Sequence, residues 1–97
     1  MAASETHYVA LIHKDENSGY GVSFPDVPGV VAVADTLDEA ISEAAAALQF
    51  AFEDWIGPMP VPRTLDVLRD DSDFQADAIG AVIAAIRPSY SYYAAAE

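Results

Sequence analysis

The chain contains no cysteine and very few basic residues. The absence of cysteine excludes disulfide bonds, thiol nucleophiles and cysteine-ligated zinc sites. Only four lysine and arginine residues stand against sixteen acidic residues, so the formal net charge is −12. A phosphate backbone repels a chain of this charge, which argues against sequence-independent binding of nucleic acids. The charge is compatible with a basic partner, or with solubility alone.

Long apolar runs are also absent. Glycine, proline or charged residues interrupt every apolar stretch before it reaches the roughly 18 residues that a membrane span requires. Residues 1–7 contain no basic region followed by an apolar run, so no signal peptide is predicted and we expect a cytoplasmic protein. The 97 residues, 53% of them hydrophobic, are enough for one packed core. We therefore predict a single domain over residues 1–97.

Three short segments in the first third of the chain have the patterns of β-strands. Residues 8–13 are rich in β-forming side chains, and a polar loop follows them. Residues 20–24 alternate large and small side chains with a period of two, as a half-buried strand does. A turn with two prolines ends this strand, and residues 30–34 supply a third one. The short connections predict an antiparallel meander.

The strongest local signal is the start of a long helix. Thr36 and Glu39 form the T-x-x-E pattern of a capping box, in which each residue satisfies an unpaired N–H of the first turn. From Leu37 onward, apolar residues recur at spacings of three and four as far as Trp55. The pattern stops at Gly57–Pro58, a typical helix end. We predict a helix of about 20 residues, about 30 Å long, that packs across one face of the sheet.

The C-terminal third contains weaker signals. Residues 59–63 include two prolines and predict an extended connector. Thr64 is placed to cap a short helix, and residues 74–78 could add another turn. Residues 79–86 combine alanines, which favour helix, with β-branched residues, which favour strand. Their short length and the nearby glycine and proline favour a strand. No element is assigned to the tail, residues 89–97.

These signals predict the order βββαβ and an α+β fold, with a three- or four-stranded, mostly antiparallel sheet and one long helix on one face. Alternate residues of the first strand point to opposite faces, and both sets are apolar: Tyr8, Ala10 and Ile12 against Val9 and Leu11. Because one helix covers only one face, we expect a homo-oligomer, a dimer or a tetramer, to bury the other. The alternative is that the connector and the C-terminal tail cover that face.

One set of residues resembles a known family. Gly19–Tyr20 leads into a strand, a proline-containing turn closes that strand, and a third strand then meets the helix start at Asp35–Ala40. This pattern resembles the N-terminal domain of HicB-type antitoxins, whose fold is similar to a truncated ribonuclease H. The resemblance is strongest over residues 8–62, and the order of elements extends it to about residue 88. The turn that carries it contains Phe24, Pro25, Asp26, Pro28 and Gly29.

The resemblance implies a function. HicB-type antitoxins bind and silence HicA, a small basic toxin that is an mRNA endoribonuclease. This chain would then be a non-catalytic antitoxin domain that neutralises a HicA-type toxin by occlusion. Many members also carry a C-terminal DNA-binding module, but only about ten residues follow the last apolar run, too few for one, so we expect no direct DNA binding. The alternative is an orphan oligomeric module that binds a small ligand or regulates another protein.

The sequence shows no catalytic constellation. Two-metal nuclease chemistry needs carboxylates that converge on ions about 4 Å apart, usually with one in the opening strand, and residues 8–13 contain none. His7 and His13 would lie about 20 Å apart on a straight strand, too far to share a metal ion. No serine has a histidine and an acid at suggestive spacing, and no phosphate-binding loop is present. We expect no enzyme activity, no metal and no cofactor, and a residual magnesium-dependent nuclease is the minor alternative.

Six residues are candidates for contact with a partner. Carboxylates on the helix and in the turn would attract a basic toxin and speed its association. An aromatic side chain near the helix end would anchor the contact. Each has a simpler interpretation, since surface carboxylates are usually only solvated and the tryptophan suits the core. The candidates are Asp26, Asp38, Glu43, Glu53, Asp54 and Trp55.

Overall fold

A computed structural model describes residues 6–89, which form four strands and three helices. In chain order these are β1 (Tyr8–Lys14), β2 (Tyr20–Ser23), β3 (Val31–Ala34), α1 (Leu37–Glu53), α2 (Leu65–Leu68), α3 (Ser72–Asp77) and β4 (Val82–Ile86). The sheet has the order β3-β2-β1-β4, and all neighbouring strands are antiparallel. The predicted α+β fold is confirmed, and the ambiguous segment is a strand. Most of the C-terminal tail, residues 90–97, lies outside the described residues.

The first face of the sheet packs against α1. Ala10 and Ile12 of β1 are buried here together with Ala44 and Leu48 of the helix. Because alanine has no side chain beyond Cβ, the helix can lie close to the sheet, and leucine fills the remaining space. The predicted alternation along β1 is confirmed, since Leu11 belongs to a separate cluster on the second face. None of the helices described for residues 6–89 has the length and apolar character of a membrane span.

The end of α1 differs from the prediction. The helix has 17 residues and ends at Glu53, before the Gly–Pro pair. The Trp55 ring then packs edge-on against Phe52 at 5.6 Å between centroids, and its indole N–H donates to the carbonyl of Pro58 at 3.0 Å. Gly57 has a φ of +92°, which side-chain-bearing residues rarely adopt. The Gly–Pro pair therefore shapes the turn after the helix and does not mark the helix end.

The second face of the sheet is half covered. Leu68 of α2 and Phe74 of α3 are buried against Leu11 of β1. The expectation that one helix would leave this whole face bare is therefore wrong, because α2 and α3, which follow the connector, fold back onto part of it. Toward β3 the face stays open, with Val31 65% and Val33 76% exposed. Self-association stays a prediction, now with a smaller surface to bury.

The two short helices begin at side-chain caps. The Thr64 hydroxyl accepts a hydrogen bond from the N–H of Val67, as predicted. Asp71 caps α3 by accepting from the N–H groups of Asp73 and Phe74 at 2.8 and 3.2 Å. These bonds satisfy N–H groups that the first helical turn leaves unpaired. They fix helices that are too short to be stable without tertiary contacts.

Candidate functional site

An open groove lies at the end of the sheet where the β1–β2 loop meets the start of α1. Its volume is about 830 Å³. Tyr20 and Val33 supply ring and apolar surface to its wall. We call it the carboxylate groove, because four acidic residues line it: Asp15, Asp35, Glu39 and Glu43.

Gly19 brings the two sides of the groove together. A Cβ at this position would clash with the carbonyl oxygen of Ala34, the last residue of β3. Glycine therefore lets the β1–β2 loop approach the backbone just before Asp35. The loop is closed by a hydrogen bond from the Asp15 N–H to the Gly19 carbonyl at 3.0 Å. This close approach places a loop carboxylate beside those of α1.

Lys14, whose side chain lines the groove, is hydrogen-bonded to the main chain of the β1–β2 loop. Lys14 Nζ donates to the carbonyl oxygens of Asp15 and Ser18 at 2.6 and 2.9 Å. The same ammonium lies 5.7 Å from the centre of the Tyr20 ring. Among residues 6–89, no ion pair joins Lys14 to a carboxylate of the groove. The groove therefore keeps a negative character.

The helix start contributes two of the groove's carboxylates. The Thr36 hydroxyl accepts from the Glu39 N–H at 3.1 Å, which confirms half of the predicted capping box. The reciprocal bond, from the Thr36 N–H to the Glu39 carboxylate, is not formed within the described residues, and the Glu39 side chain lines the groove instead. Glu43 follows one helical turn later on the same side. Negative charge near a helix N-terminus is favourable, so Asp35 and Glu39 are tolerated here.

Carboxylates at the opposite end of the sheet are held differently. Asp26, in the β2–β3 turn, accepts hydrogen bonds from Arg63 Nε and from the Arg63 backbone N–H at 2.7 Å each, and its carboxylate forms an ion pair with Arg63 Nη2 at 2.7 Å. Arg63 Nη1 also donates to Asp71 at 3.0 Å. The Asp26 side chain is 9% exposed. This network, which we call the Arg63 clamp, ties the turn to the connector and to the start of α3.

The pKa values of Asp71 and Tyr8 are both shifted, for different reasons. Hydrogen bonding from Arg63, followed by bonds from the backbone N–H groups of Phe74 and Asp73, lowers the pKa of Asp71. Burial, with a smaller contribution from the charge of Asp26, raises the pKa of Tyr8. The Tyr8 hydroxyl donates to the carbonyl of Pro60 at 2.7 Å. The clamp and this bond together position the connector.

The structure separates the six predicted partner residues. Glu43 lines the carboxylate groove, and Asp26 belongs to the Arg63 clamp. Asp38 is exposed on the first turn of α1, outside the groove lining. The other three, Glu53, Asp54 and Trp55, lie at the far end of α1. No observation tests their contact with a partner, which stays a prediction.

Sequence reasoning did not place three of the groove's acidic residues at a binding site. Glu39 was predicted as part of the capping box, Asp35 was named only at the helix start, and Asp15 falls in the polar loop predicted after the first strand. The available signal was Gly19, since a loop glycine next to a strand permits close backbone approach. The Nε2 atom of His13 lies 2.9 Å from the carbonyl oxygen of Asp77. Among residues 6–89, no three histidine or acidic side chains are arranged to hold a metal ion.

The family match and the similar solved structures agree on one family. Residues 8–91 match the family described as HicB_like antitoxin of bacterial toxin-antitoxin system. The crystal structure of the Burkholderia pseudomallei antitoxin HicB is 28% identical, with a TM-score of 0.65 over 84% of this chain and 61% of that chain. The structure of its N-terminal domain is 27% identical, with a TM-score of 0.67 over 87% of this chain and 99% of that domain.

Two further relatives are more limited. The antitoxin HicB3 structure, at 20% identity and a TM-score of 0.61, shares the fold, and this chain covers 65% of it. An uncharacterised 14.9 kDa protein of Haemophilus phage HP1 is 51% identical over 37 residues, which are 38% of this chain and 28% of that protein. This chain thus spans less than two thirds of these longer relatives. The match over residues 8–91 and the shared fold show that the chain belongs to the HicB-like antitoxin family of bacterial toxin–antitoxin systems.

Proposed function

We propose that this chain neutralises a small basic HicA-type mRNA endoribonuclease by covering it, and that it performs no chemistry and needs no cofactor. The observation that carries the proposal is the family match over residues 8–91. The net charge of −12 supports it, because an acidic antitoxin attracts a basic toxin. Occlusion requires a complementary surface and no catalytic group.

The carboxylate groove is the part of the surface best suited to this contact. Arginine and lysine side chains combine an apolar stem with a charged head. Tyr20 and Val33 offer surface for such a stem, and Asp35 and Glu39 offer acceptors for the head. We therefore propose that basic side chains of the toxin enter this groove.

The Arg63 clamp is less suited to a toxin contact. A basic side chain that approached Asp26 would have to displace Arg63, which already supplies two hydrogen bonds and an ion pair to that carboxylate. Removing the partner of a nearly buried carboxylate costs more than an exposed ion pair returns. The groove is therefore a better toxin contact than Asp26, and the proposed contact lies at the helix start and not in the β2–β3 turn.

The function is tested by isolating the chain from its native cells and identifying a stoichiometric small basic protein. That protein is then expressed alone and together with the chain. We expect growth arrest and mRNA cleavage when it is alone, relief of both on co-expression, and a complex that dissociates as salt rises. A partner that is not a ribonuclease, or one whose activity the chain leaves unchanged, would contradict the proposal.

The groove is tested by the double variant Asp35→Asn/Glu39→Gln. We expect association with the toxin to slow about tenfold, because fixed charges around a contact mainly determine the association rate. The matched control is Asp66→Asn/Asp70→Asn, which removes the same charge from exposed residues around α2. Stopped-flow or surface plasmon resonance measures both. Equal slowing in the two variants would show that net charge acts without a contribution from the groove.

Self-association is a second candidate property, favoured by the two exposed valines of β3. An apolar row on an open sheet face is a common site of contact between copies. The orphan oligomeric module would use this contact without any toxin. Recovery of a self-oligomer alone from native cells would favour that alternative.

A further inference from the structure

A second, smaller pocket lies between α1 and the end of β4. Its volume is about 290 Å³, near the lower end of the range for sites that bind small molecules. It has no lining residue in common with the carboxylate groove. Ile41 and Ala45 of α1 give it apolar surface. Four polar residues also line it, and we call it the His7–Arg87 pocket: His7, Ser42, Arg87 and Ser89.

Strand pairing brings the two basic residues of this pocket together. Tyr8 of β1 lies opposite Ile86 of β4. His7 and Arg87 are the next residues beyond this pair, so they lie at the same end of the sheet. The Ser89 N–H donates to the carbonyl of Ala45 at 3.2 Å, which holds the chain after β4 against α1. The pocket is therefore built from two strand ends and one side of the long helix.

The lining is basic although the chain is acidic. The sequence has 16 acidic residues, and its basic residues are four lysines and arginines and two histidines. One of those arginines and one of those histidines line this pocket, whereas no acidic residue does. Asp38, one helical turn before Ser42, is exposed and lies outside the lining. An anion that enters the pocket therefore meets positive charge and hydroxyl groups.

Arg87 differs from Arg63 and Lys14 in its bonding. Arg63 is occupied by the carboxylates of the Arg63 clamp, and Lys14 by main-chain carbonyls. Among the residues that the structure describes, Arg87 forms no ion pair. Like charges on neighbouring strands destabilise a sheet, so a protonated His7 beside Arg87 is unfavourable without an anion. A bound anion would remove this repulsion.

We propose that the His7–Arg87 pocket binds a small oxyanion, the phosphate or carboxylate group of a small molecule. A guanidinium group can donate two parallel hydrogen bonds to such a group. The imidazole of His7 and the hydroxyls of Ser42 and Ser89 are further donors. The apolar surface of α1 accommodates a short hydrocarbon part of the ligand. This site is independent of the carboxylate groove, so its failure would leave the proposed antitoxin function unaffected.

NMR titration of the full ¹⁵N-labelled chain tests the site. The probes are inorganic phosphate and, separately, acetate, with sodium chloride holding the ionic strength constant. We expect saturable shifts of the amide signals of His7, Ser42 and Ser89. Shifts with both probes support the general oxyanion site, and shifts with one probe identify its group as phosphate or carboxylate. The absence of saturable shifts with either probe would overturn the proposal.

Two substitutions and one control test the residues. Arg87→Gln should weaken binding about tenfold, because it removes the charged fork. His7→Gln should weaken it less, about threefold, because glutamine keeps a donor and lacks only the charge. The matched control is Arg69→Gln, which removes the same charge from an exposed arginine outside the pocket and should leave binding unchanged.

Circular dichroism verifies that each variant is folded. If Arg87→Gln does not fold, Arg87→Lys replaces it, because lysine keeps the charge and loses the two-bond geometry, and intermediate binding is expected. Equal weakening in the Arg69 and Arg87 variants would overturn the proposal, since it would show general attraction of anions without a defined site. Unchanged binding in a folded Arg87 variant would overturn it as well.

Discussion

At one end of the sheet, Asp26 and Asp71 accept hydrogen bonds from Arg63 and hold the turn, the connector and α3 together. At the other end, Asp35 and Glu39 line an open groove whose neighbouring cation, Lys14, is bound to main-chain carbonyls. Both ends contain several carboxylates. Their roles differ because Arg63, one of the four lysine and arginine residues, pairs within the described residues only with carboxylates at the first end.

The comparison shows that acidic composition alone does not define a binding surface. A carboxylate that is nearly buried beside arginine contributes to the fold, and its charge is already neutralised locally. A carboxylate without such a partner contributes little to stability. It produces a more negative electrostatic potential at the surface than a paired carboxylate does. The groove and the Arg63 clamp should therefore respond in opposite ways to substitution, with stability affected at the clamp and partner association at the groove.

The largest expected effect comes from a substitution that blocks the close approach of Gly19 to Ala34, the contact that brings the two sides of the groove together. Gly19→Ala introduces a Cβ that clashes with the Ala34 carbonyl, so we expect the free energy of unfolding to fall by about 3 kcal/mol. The control is Gly21→Ala, whose Cβ would meet nothing within 4 Å. It should be neutral or stabilising by at most about 1 kcal/mol, because alanine loses less backbone entropy than glycine.

Urea denaturation at one fixed protein concentration measures both glycine variants, since self-association would otherwise add to the apparent stability. Equal losses in Gly19→Ala and Gly21→Ala would show that the close contact at Gly19 is unimportant. The groove geometry would then need another cause.

The second effect contrasts one carboxylate from each end of the sheet. Asp26→Ala removes the acceptor of two hydrogen bonds and an ion pair from Arg63, and we expect a loss of about 2 kcal/mol in the free energy of unfolding. Asp35→Ala, at the helix start, should cost about 0.5 kcal/mol, the usual contribution of an exposed charge near a helix terminus. Thermal or urea unfolding compares the pair. A loss at Asp35 as large as that at Asp26 would remove the distinction between the two ends.

The smallest effect is a dependence on pH at the Arg63 clamp. The pKa of Asp71 is lowered below its ordinary value of 3.8 by Arg63 and by the helix N–H groups. Its contribution to stability is therefore present above pH 3.8 and is lost as the pH falls through the lowered pKa. Asp71→Asn, which can still cap α3, lacks this contribution, so wild type and variant should converge in stability as the solution is acidified.

Unfolding midpoints measured from about pH 6 to about pH 2 provide the test of this convergence, over the interval in which carboxylates titrate. Arg63→Gln removes the first cause of the lowered pKa and serves as the companion variant. It should weaken the pH dependence that Asp71 contributes. A constant difference between wild type and Asp71→Asn over this interval would contradict the role assigned to Arg63.

Local patterns predicted much of the fold. The alternation in β1, the Thr36 cap and the Thr64 cap depend on residues within a few positions of one another, and all three are confirmed. The strand at residues 82–86 was harder, because alanine and β-branched residues have opposite preferences, and pairing with β1 decides in favour of the strand. The end of α1 was predicted too late, because the apolar spacing continues through Trp55 although the chain has already turned.

The candidate site was predicted less well than the fold. Glu43 was the one member of the groove named as a partner residue, while Asp15 and Asp35 come together through the close approach at Gly19. Asp26 was named from a motif, yet the structure joins it to Arg63, which lies 37 residues away. Contacts across such separations leave no periodic or local pattern in the sequence.

The sequence by itself determined the absence of cysteine chemistry, the acidic charge, the first three strands, the start of the long helix and the resemblance to HicB-type antitoxins. Each of these depends on composition or on neighbours within a helical turn or a strand. Only the tertiary structure decided which carboxylates Arg63 neutralises, which line an open groove, and that α2 and α3 cover half of the second face. The physical reason is that charge pairing and burial depend on distances between segments, and those distances exist only once the chain has folded.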